Sequence, residues 1–178
     1  FLKAAAKVKD LDGRPARLLL LGDGPSFDAY KELAVSLGIE AHARFVGRKP
    51  VKEAFAATNT VVVPSRAESL PYIVMEAIAA GKNVIATDVG GINEIFGPTR
   101  EALIPAGEVE ALATAMRTAM QPATERQLQD RQARFDFVAK NFHVETMVDQ
   151  VAETYRSLVL APAQQCTPDT RAGSRSHT

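Results

Sequence analysis

The chain has 178 residues, of which 46% are hydrophobic, and this is enough for one ordinary domain with a core. Lysine and arginine total 21, as do aspartate and glutamate, so the zero net charge gives no indication of binding to nucleic acid or to an acidic membrane. No apolar run approaches the roughly 20 residues that cross a bilayer, and no signal-peptide pattern opens the chain, so we expect a soluble protein.

Short apolar strands alternate with helices through residues 1–104. Strands are predicted at 17–21, 43–46, 60–63 and 84–87, with a weaker one at 102–104. The helices between them are predicted at 2–9, 26–37, 50–57, 72–80 and 92–96. Such alternation is typical of a parallel sheet wrapped by helices, which is a doubly wound, Rossmann-like α/β domain.

Beyond residue 108 the pattern is wholly helical. Helices are predicted at 109–120, 124–140 and 144–159, the last with an apolar stripe that includes Met147 and Tyr155. Residues 161–178 are poor in apolar side chains and are predicted to be a disordered tail, which leaves a folded domain over residues 1–160. Cys166 lies in this tail and has no internal partner, which fits a reducing compartment, and we expect the cytoplasm.

Glycine turns follow most of the predicted strands. They lie at Gly22 to Gly24, at Gly47 and at Gly90-Gly91, and the loop that contains Glu68 also follows a strand. Because parallel strands end at one edge of a sheet, these turns should collect at that edge, where doubly wound domains bind their ligands.

Glu76 is the only charged residue between Ser69 and Ala80, in a helix that is otherwise apolar on nearly every side. Such a helix is expected to be buried, and a buried carboxylate must be paired, protonated or hydrogen-bonded. On these residues alone two interpretations stand almost level. Glu76 either pairs with a nearby lysine or arginine or caps a loop, or it accepts hydrogen bonds from the hydroxyls of a ligand.

The segment from Glu68 to Gly81, ESLPYIVMEAIAAG, resembles the E-x7-E signature of the family 4 retaining glycosyltransferases, also called glycosyl transferases group 1. Four further segments agree with that family in order and spacing over residues 1 to about 160: GDGP at 22–25, RFVG at 44–47, PS at 64–65 and VGGINE at 89–94. The resemblance implies the C-terminal, donor-binding half of a GT-B enzyme, in which two Rossmann-like domains face each other across a cleft.

In that family the donor-binding half begins with a strand that is followed by an arginine and a lysine, which neutralise the donor pyrophosphate. This sequence opens at Phe1 in what reads as an uncapped helix, so we expect that strand and the acceptor half to lie outside it. The 178 residues alone are therefore expected to be marginally stable and inactive.

The resemblance also assigns roles to individual residues. Glu76 would bind the ribose hydroxyls of the nucleotide, and Glu68 would act near the reacting centre, on the transferred sugar. Both roles suit an ionised carboxylate, which accepts hydrogen bonds and donates none. Backbone N–H groups around Ser69, Leu70 and Tyr72 would bind the distal phosphate, aided by the helix dipole.

In three segments the evidence for a role in donor binding is weaker, or the residue differs from the family pattern. The commonest family pattern has glycine where this chain has Pro71, which removes one amide donor but pre-forms the first helical turn. The base should meet the backbone of Arg48, although Arg48 and Lys49 read equally well as two solvated loop charges. Gly22 and Gly24 are assigned to the donor site with turn geometry as their main role.

The function implied is retaining transfer of a hexosyl group from a nucleotide-diphosphate sugar to an acceptor hydroxyl, as in polysaccharide biosynthesis. The acceptor would bind mainly to the missing half, which would also carry any peripheral membrane association. No cofactor is expected, and no metal, since His42, His143 and His177 show no ligand spacing. Two alternatives stay open: a nucleotide-sugar epimerase of the same architecture, and a non-catalytic nucleotide-sugar-binding module, against which the two intact glutamates count.

Overall fold

The computed structural model describes residues 1–9 and 13–160, so the predicted tail and Cys166 lie outside the described residues. The strands are β1 (Leu18–Leu20), β2 (Ala43–Phe45), β3 (Thr60–Val63) and β4 (Asn83–Ala86). The helices are α1 (Leu2–Ala5), α2 (Phe27–Ser36), α3 (Val51–Ala57), α4 (Tyr72–Ala79), α5 (Ile92–Phe96), α6 (Val109–Ala119), α7 (Glu125–Asn141) and α8 (Val144–Leu160). Two 3-10 turns span Glu40–His42 and Gly97–Ala102.

Two predicted elements differ from the structure. The first helix ends at Ala5 instead of residue 9, because the amides of Lys7 and Val8 bond three residues back and tighten the chain into a turn. The predicted strand at 102–104 is reduced to one parallel bridge between Ile104 and Thr87, since a 3-10 turn occupies the residues just before it.

The strands form two parallel pairs instead of one continuous sheet. β1 pairs with β2, with Leu19 opposite Arg44, and β3 pairs with β4, with Val62 opposite Ile85. In the doubly wound strand order 3-2-1-4-5-6, strand 1 separates the pair 2-3 from the pair 4-5. Parallel pairing of consecutive strands, as in β1-β2 and β3-β4, is what that order contains, and the prediction of a doubly wound α/β fold is confirmed.

β3 and β4 lie between two layers of helices. Val62 and Ile85 contact a core that includes buried residues of α1 and α6, whereas their neighbours Val63, Val84 and Ala86 contact a second core with α4, α5 and α7. Alternate strand residues thus reach opposite faces, as the period of two in an extended strand requires.

Arg134 anchors α7 to the segment that follows α5. Its side chain is buried, its guanidinium lies 4.0 Å from the centroid of the Phe96 ring, and its Nε donates to the Thr99 hydroxyl at 2.7 Å. Burial lowers the pKa of Arg134 to about 10, and Asp130 opposes that shift, so the side chain stays cationic at neutral pH. A buried guanidinium over an aromatic face combines cation–π attraction with a fixed hydrogen bond.

The chain divides into two units, residues 1–142 and the segment that starts at His143. The second unit contains α8, as predicted, with an exposed apolar face made by Val144, Met147, Val148, Val151, Tyr155 and Leu158. A backbone hydrogen bond in the first turn of α8, and next the contact with His143, lower the pKa of the Glu145 carboxyl. Among the described residues, no helix is both long enough and apolar enough to cross a membrane.

Candidate functional site

Two loops pack against each other at the carboxyl ends of β3 and β4. We call residues 64–71, which join β3 to α4, the β3 loop, and residues 87–91, which join β4 to α5, the β4 turn. The amide of Gly91 donates to the carbonyl of Ser69 at 2.7 Å and ties the two together. The predicted meeting of these strand-end segments at one edge is confirmed.

The β4 turn has room only for glycine where it meets the β3 loop. A Cβ atom on Gly90 would lie 1.7 Å from the carbonyl oxygen of Glu68, and one on Gly91 would lie 2.4 Å from that of Ser69. Gly90 also has a positive φ of 51°, which side chains disfavour. The glycine pair therefore lets the β4 turn support the backbone of Glu68 directly.

Two hydroxyl groups hold the Glu68 side chain and its loop. Ser65 Oγ donates to Glu68 Oε1 at 2.6 Å, and both residues are half-buried. The hydroxyl of Thr87, which is only 2% exposed, donates to the carbonyl of Ser65 at 2.6 Å. Neither Ser65 nor Thr87 was assigned a role from the sequence, although a serine three residues before a glutamate is a recognisable local hydrogen-bond pattern.

Glu76 is exposed, and the expectation that it is buried is wrong. Helix α4 directs Val74, Ala77 and Ile78 into the core, and this spacing turns Tyr72 and Glu76 to the opposite, accessible side. Within the described residues no hydrogen bond or ion pair engages the Glu76 carboxylate, so pairing with a lysine or arginine does not explain it. An exposed carboxylate needs no internal partner and is open to a ligand.

Free amides lie at the start of α4. Pro71 is the N-cap, no side chain caps the helix, and the amides of Ser69 and Leu70 donate to no other group in residues 1–9 and 13–160. Ser69 and Tyr72 are exposed, and Leu70 is 37% exposed. The first amides of a helix, here from Tyr72 onward, lack internal partners and carry a partial positive charge, and the free amides of Ser69 and Leu70 directly precede them, so this end of α4 favours an anion.

Positive charge lies near the β3 loop. The loop carries the positively charged guanidinium of Arg66. Arg66 is exposed. The electrostatic environment of this edge is therefore favourable to a phosphate group.

A second set of predicted residues meets at the ends of β1 and β2. The Gly22 amide donates to the Gly47 carbonyl at 2.8 Å, and Arg48 Nε donates to Asp23 Oδ1 at 2.8 Å. A cavity of about 360 Å³ opens beside this turn. Its lining includes Leu20, Gly22, Asp23, Gly24, Tyr30 and Phe45.

Arg48 is exposed and forms a surface ion pair with Asp23, so the structure is compatible with either interpretation of this side chain. The cavity combines an apolar wall from Phe45 with a carboxylate and backbone groups from the Gly22 turn. Such a mixture can receive a planar ring and hydrogen-bond its edge.

The structure therefore groups the predicted site residues in two places. Glu68, Ser69 and Leu70 lie with the β4 turn, and Gly22, Gly24 and Arg48 lie together beside the cavity. In the part of the chain that the structure describes, no three His, Cys, Asp or Glu side chains are placed to hold a metal ion.

Comparisons with known proteins agree with these motifs. The family described as Glycosyl transferases group 1 matches residues 1–135. D-inositol 3-phosphate glycosyltransferase of Rhodococcus erythropolis is 34% identical over 166 residues, which cover 87% of this chain and 37% of that protein. Sulfoquinovosyl transferase SQD2 of Arabidopsis thaliana is 32% identical over 126 residues, covering 67% of this chain and 24% of that protein.

Solved structures of similar fold include sucrose-phosphate synthase from Thermosynechococcus elongatus, with a TM-score of 0.72 and 27% identity over 90% of this chain and 42% of that one. The Anabaena HepE protein in complex with UDP has a TM-score of 0.72 and 26% identity, over 88% of this chain and 44% of its own. It has also been solved with UDP-glucose. The chain spans about two fifths of the length of three of these relatives and about a quarter of the length of SQD2.

Proposed function

The chain belongs to the group 1 glycosyl transferase family, and from that membership we propose that it is the donor-binding part of an enzyme that transfers a sugar from a nucleoside diphosphate to an acceptor hydroxyl. The observation that carries the proposal is the geometry around α4. Glu68 precedes the free amides at the start of this helix, and the unpaired Glu76 lies on its accessible side.

We propose that Glu76 binds the ribose of the donor. Its carboxylate can accept hydrogen bonds from two neighbouring hydroxyls, and a ribose presents such a pair. Tyr72 lies one turn earlier on the same side of α4 and would border the nucleoside. The base would rest beside the Gly47 to Arg48 backbone, in the cavity beside the Gly22 turn.

The diphosphate would lie at the start of α4. The amides of Ser69 and Leu70 supply hydrogen-bond donors. Pro71 has no amide hydrogen to donate, but it leaves the neighbouring amides free. Arg66, in the same loop, adds a positive charge. Stabilisation of the phosphate as it leaves would be the main electrostatic contribution of this domain to catalysis.

Glu68 would act on the transferred sugar. Its Oε1 is held by Ser65, which leaves Oε2 to accept from a sugar hydroxyl and fix the ring relative to the phosphate. Such positioning accounts for a large share of the rate enhancement in transfer reactions. In this proposal the acceptor hydroxyl attacks with retention of the anomeric configuration, and the acceptor binds to a part of the enzyme outside these residues.

The test is a comparison of nucleotide affinity in the full-length protein. UDP and UDP-glucose are the first probes, since HepE has been solved with both. Glu76→Gln should weaken the binding of both by about tenfold or more, because the amide keeps only one acceptor oxygen and lacks the charge that strengthens both hydrogen bonds. Glu32→Gln is the matched control, since Glu32 is also exposed and lies in α2.

Equal affinities in the Glu76→Gln variant and the control would contradict the proposed ribose contact. Product analysis tests the reaction itself. The acceptor should gain the mass of one hexosyl unit, and proton NMR of the product should show the same anomeric configuration as the donor. An altered sugar nucleotide with no mass added to any acceptor would instead identify an epimerase.

A further inference from the structure

Glu68 is the end of a hydrogen-bonded series that starts on a different strand. The Thr87 hydroxyl, just beyond β4, donates to the carbonyl of Ser65, and the Ser65 hydroxyl donates to Oε1 of Glu68, each at 2.6 Å. Thr87 is 2% exposed and its amide also bonds to Val63 at 3.2 Å, so its position is fixed by the sheet. The series thus connects a rigid element to a carboxylate in a loop.

From these contacts we propose that Ser65 and Thr87 are positioning residues for Glu68, which deepens the proposed function and rests on it. Without the Ser65 hydroxyl, the Glu68 side chain would rotate among several rotamers at the surface. With it, one carboxylate oxygen is occupied and the other has a single direction in which to accept from a sugar hydroxyl.

Ordinary stabilisation of a loop does not require this arrangement. The β3 loop is already tied to the β4 turn by the Gly91 amide and by the close approach of Gly90 to the Glu68 carbonyl. The Ser65 hydroxyl adds nothing to that backbone contact, because its partner is the Glu68 side chain. Its distinct effect is on the direction of the carboxylate.

The experiment measures the dissociation constants of UDP-glucose and of UDP for the full-length protein by calorimetry. The quantity of interest is their ratio, because only the glucose moiety meets Glu68 under the proposed function. Ser65→Ala should raise the ratio about fivefold, which is the effect of one hydrogen bond, and should leave UDP binding unchanged. Ser65→Thr, which keeps the hydroxyl, should restore the ratio.

A double-mutant cycle shows whether Ser65 acts through Glu68. Glu68→Ala, which removes the acceptor of the Ser65 hydroxyl, should raise the ratio by itself, and Ser65→Ala should add no further change in that background. Thr87→Val should resemble Ser65→Ala, whereas Thr87→Ser should resemble the unmodified protein. If the buried Thr87→Val variant does not fold, the Ser65 variants decide the question alone.

Three results would overturn the inference. An equal loss of UDP and UDP-glucose affinity in Ser65→Ala would mean that Ser65 only supports the loop. A Ser65→Ala effect that persists beside Glu68→Ala would mean that Ser65 does not act through Glu68. Failure of the unmodified protein to bind either probe, or GDP-mannose and ADP-glucose in the same assay, would overturn the proposed donor site and this inference with it.

Discussion

The contact between the β4 turn and the Glu68 backbone can be tested with three glycine substitutions that separate strain from collision. Gly90→Ala combines a positive φ with a Cβ placed 1.7 Å from the Glu68 carbonyl oxygen. Gly91 has an ordinary φ of −73°, so Gly91→Ala introduces only the collision, at 2.4 Å from the Ser69 carbonyl oxygen. Gly38 has a φ of 67° and open space around it, so Gly38→Ala introduces only the strain.

The expected free energies follow from these distances. A positive φ costs an alanine about 1 kcal/mol, which is the whole expected effect of Gly38→Ala. Overpacking costs about 1–3 kcal/mol, and displacement of the Ser69 carbonyl also weakens its 2.7 Å bond from the Gly91 amide, worth about 1 kcal/mol. We therefore expect a loss of about 2–4 kcal/mol for Gly91→Ala. For Gly90→Ala the closer approach of 1.7 Å places overpacking at the top of its range and the positive φ adds to it, so we expect a loss of about 4 kcal/mol or more.

Equilibrium unfolding in urea, followed by far-UV circular dichroism with a common slope, gives the three values. The order Gly38→Ala, Gly91→Ala, Gly90→Ala, from least to most destabilising, supports the contact. If Gly91→Ala and Gly90→Ala cost no more than Gly38→Ala, the β4 turn does not support the Glu68 backbone, and the reasoning is refuted.

Three other predictions concern α7, α8 and the turn after α5. Arg134→Ala should lower the free energy of unfolding by about 2–4 kcal/mol, because the cation–π and hydrogen-bond contacts of a buried side chain are lost. Arg126 is exposed, and Arg126→Ala should lower it by less than about 0.5 kcal/mol in the same urea titration. Gly97→Ala, with its Cβ 2.4 Å from the Phe137 ring, should also destabilise, and Phe137→Ala should relieve part of that loss, as a double-mutant cycle would show. The pKa of the Glu145 carboxyl is lowered in the folded chain, so the ionised carboxylate stabilises α8. This stabilisation is complete above the ordinary pKa of 4.5 and is lost as the pH falls through the lowered value. Amide exchange in the first turn of α8 should therefore become faster in acid, and Glu145→Gln should remove this acid sensitivity.

The sequence predicted most of the elements because local patterns determine them. The glycine at position 38 follows α2, and the strand at 60–63 has the predicted bounds. Gly90 and Gly91 were placed with the Glu68 loop by one rule, that parallel strands end at one edge. The approach of those glycines to within collision distance of the loop could not be read from the sequence, since it depends on atoms about 20 residues apart.

The error about Glu76 has a clear physical cause. An eight-residue helix with one charge looks apolar on all sides, but only Val74, Ala77 and Ile78 among its residues are buried. A sequence shows which side chains are apolar and does not show which of them find a partner. The same limit separates Ser65 from Thr87. The hydrogen bond between residues 65 and 68 is a local pattern that the sequence could have predicted, whereas the bond between residues 87 and 65 depends on how two strands are placed.

The pairing of β1 only with β2, and of β3 only with β4, also bears on how the chain behaves in concentrated solution. In the described residues, β1 and β3 each pair with one strand only, so each has one edge whose backbone N–H and C=O groups meet no neighbouring strand. The edges are apolar, with leucines at 18–20 and valines at 61–63, and they carry none of the lysines or prolines that block strand addition. Edges of this kind act as templates for pairing between molecules, so the 178 residues by themselves are expected to self-associate at high concentration.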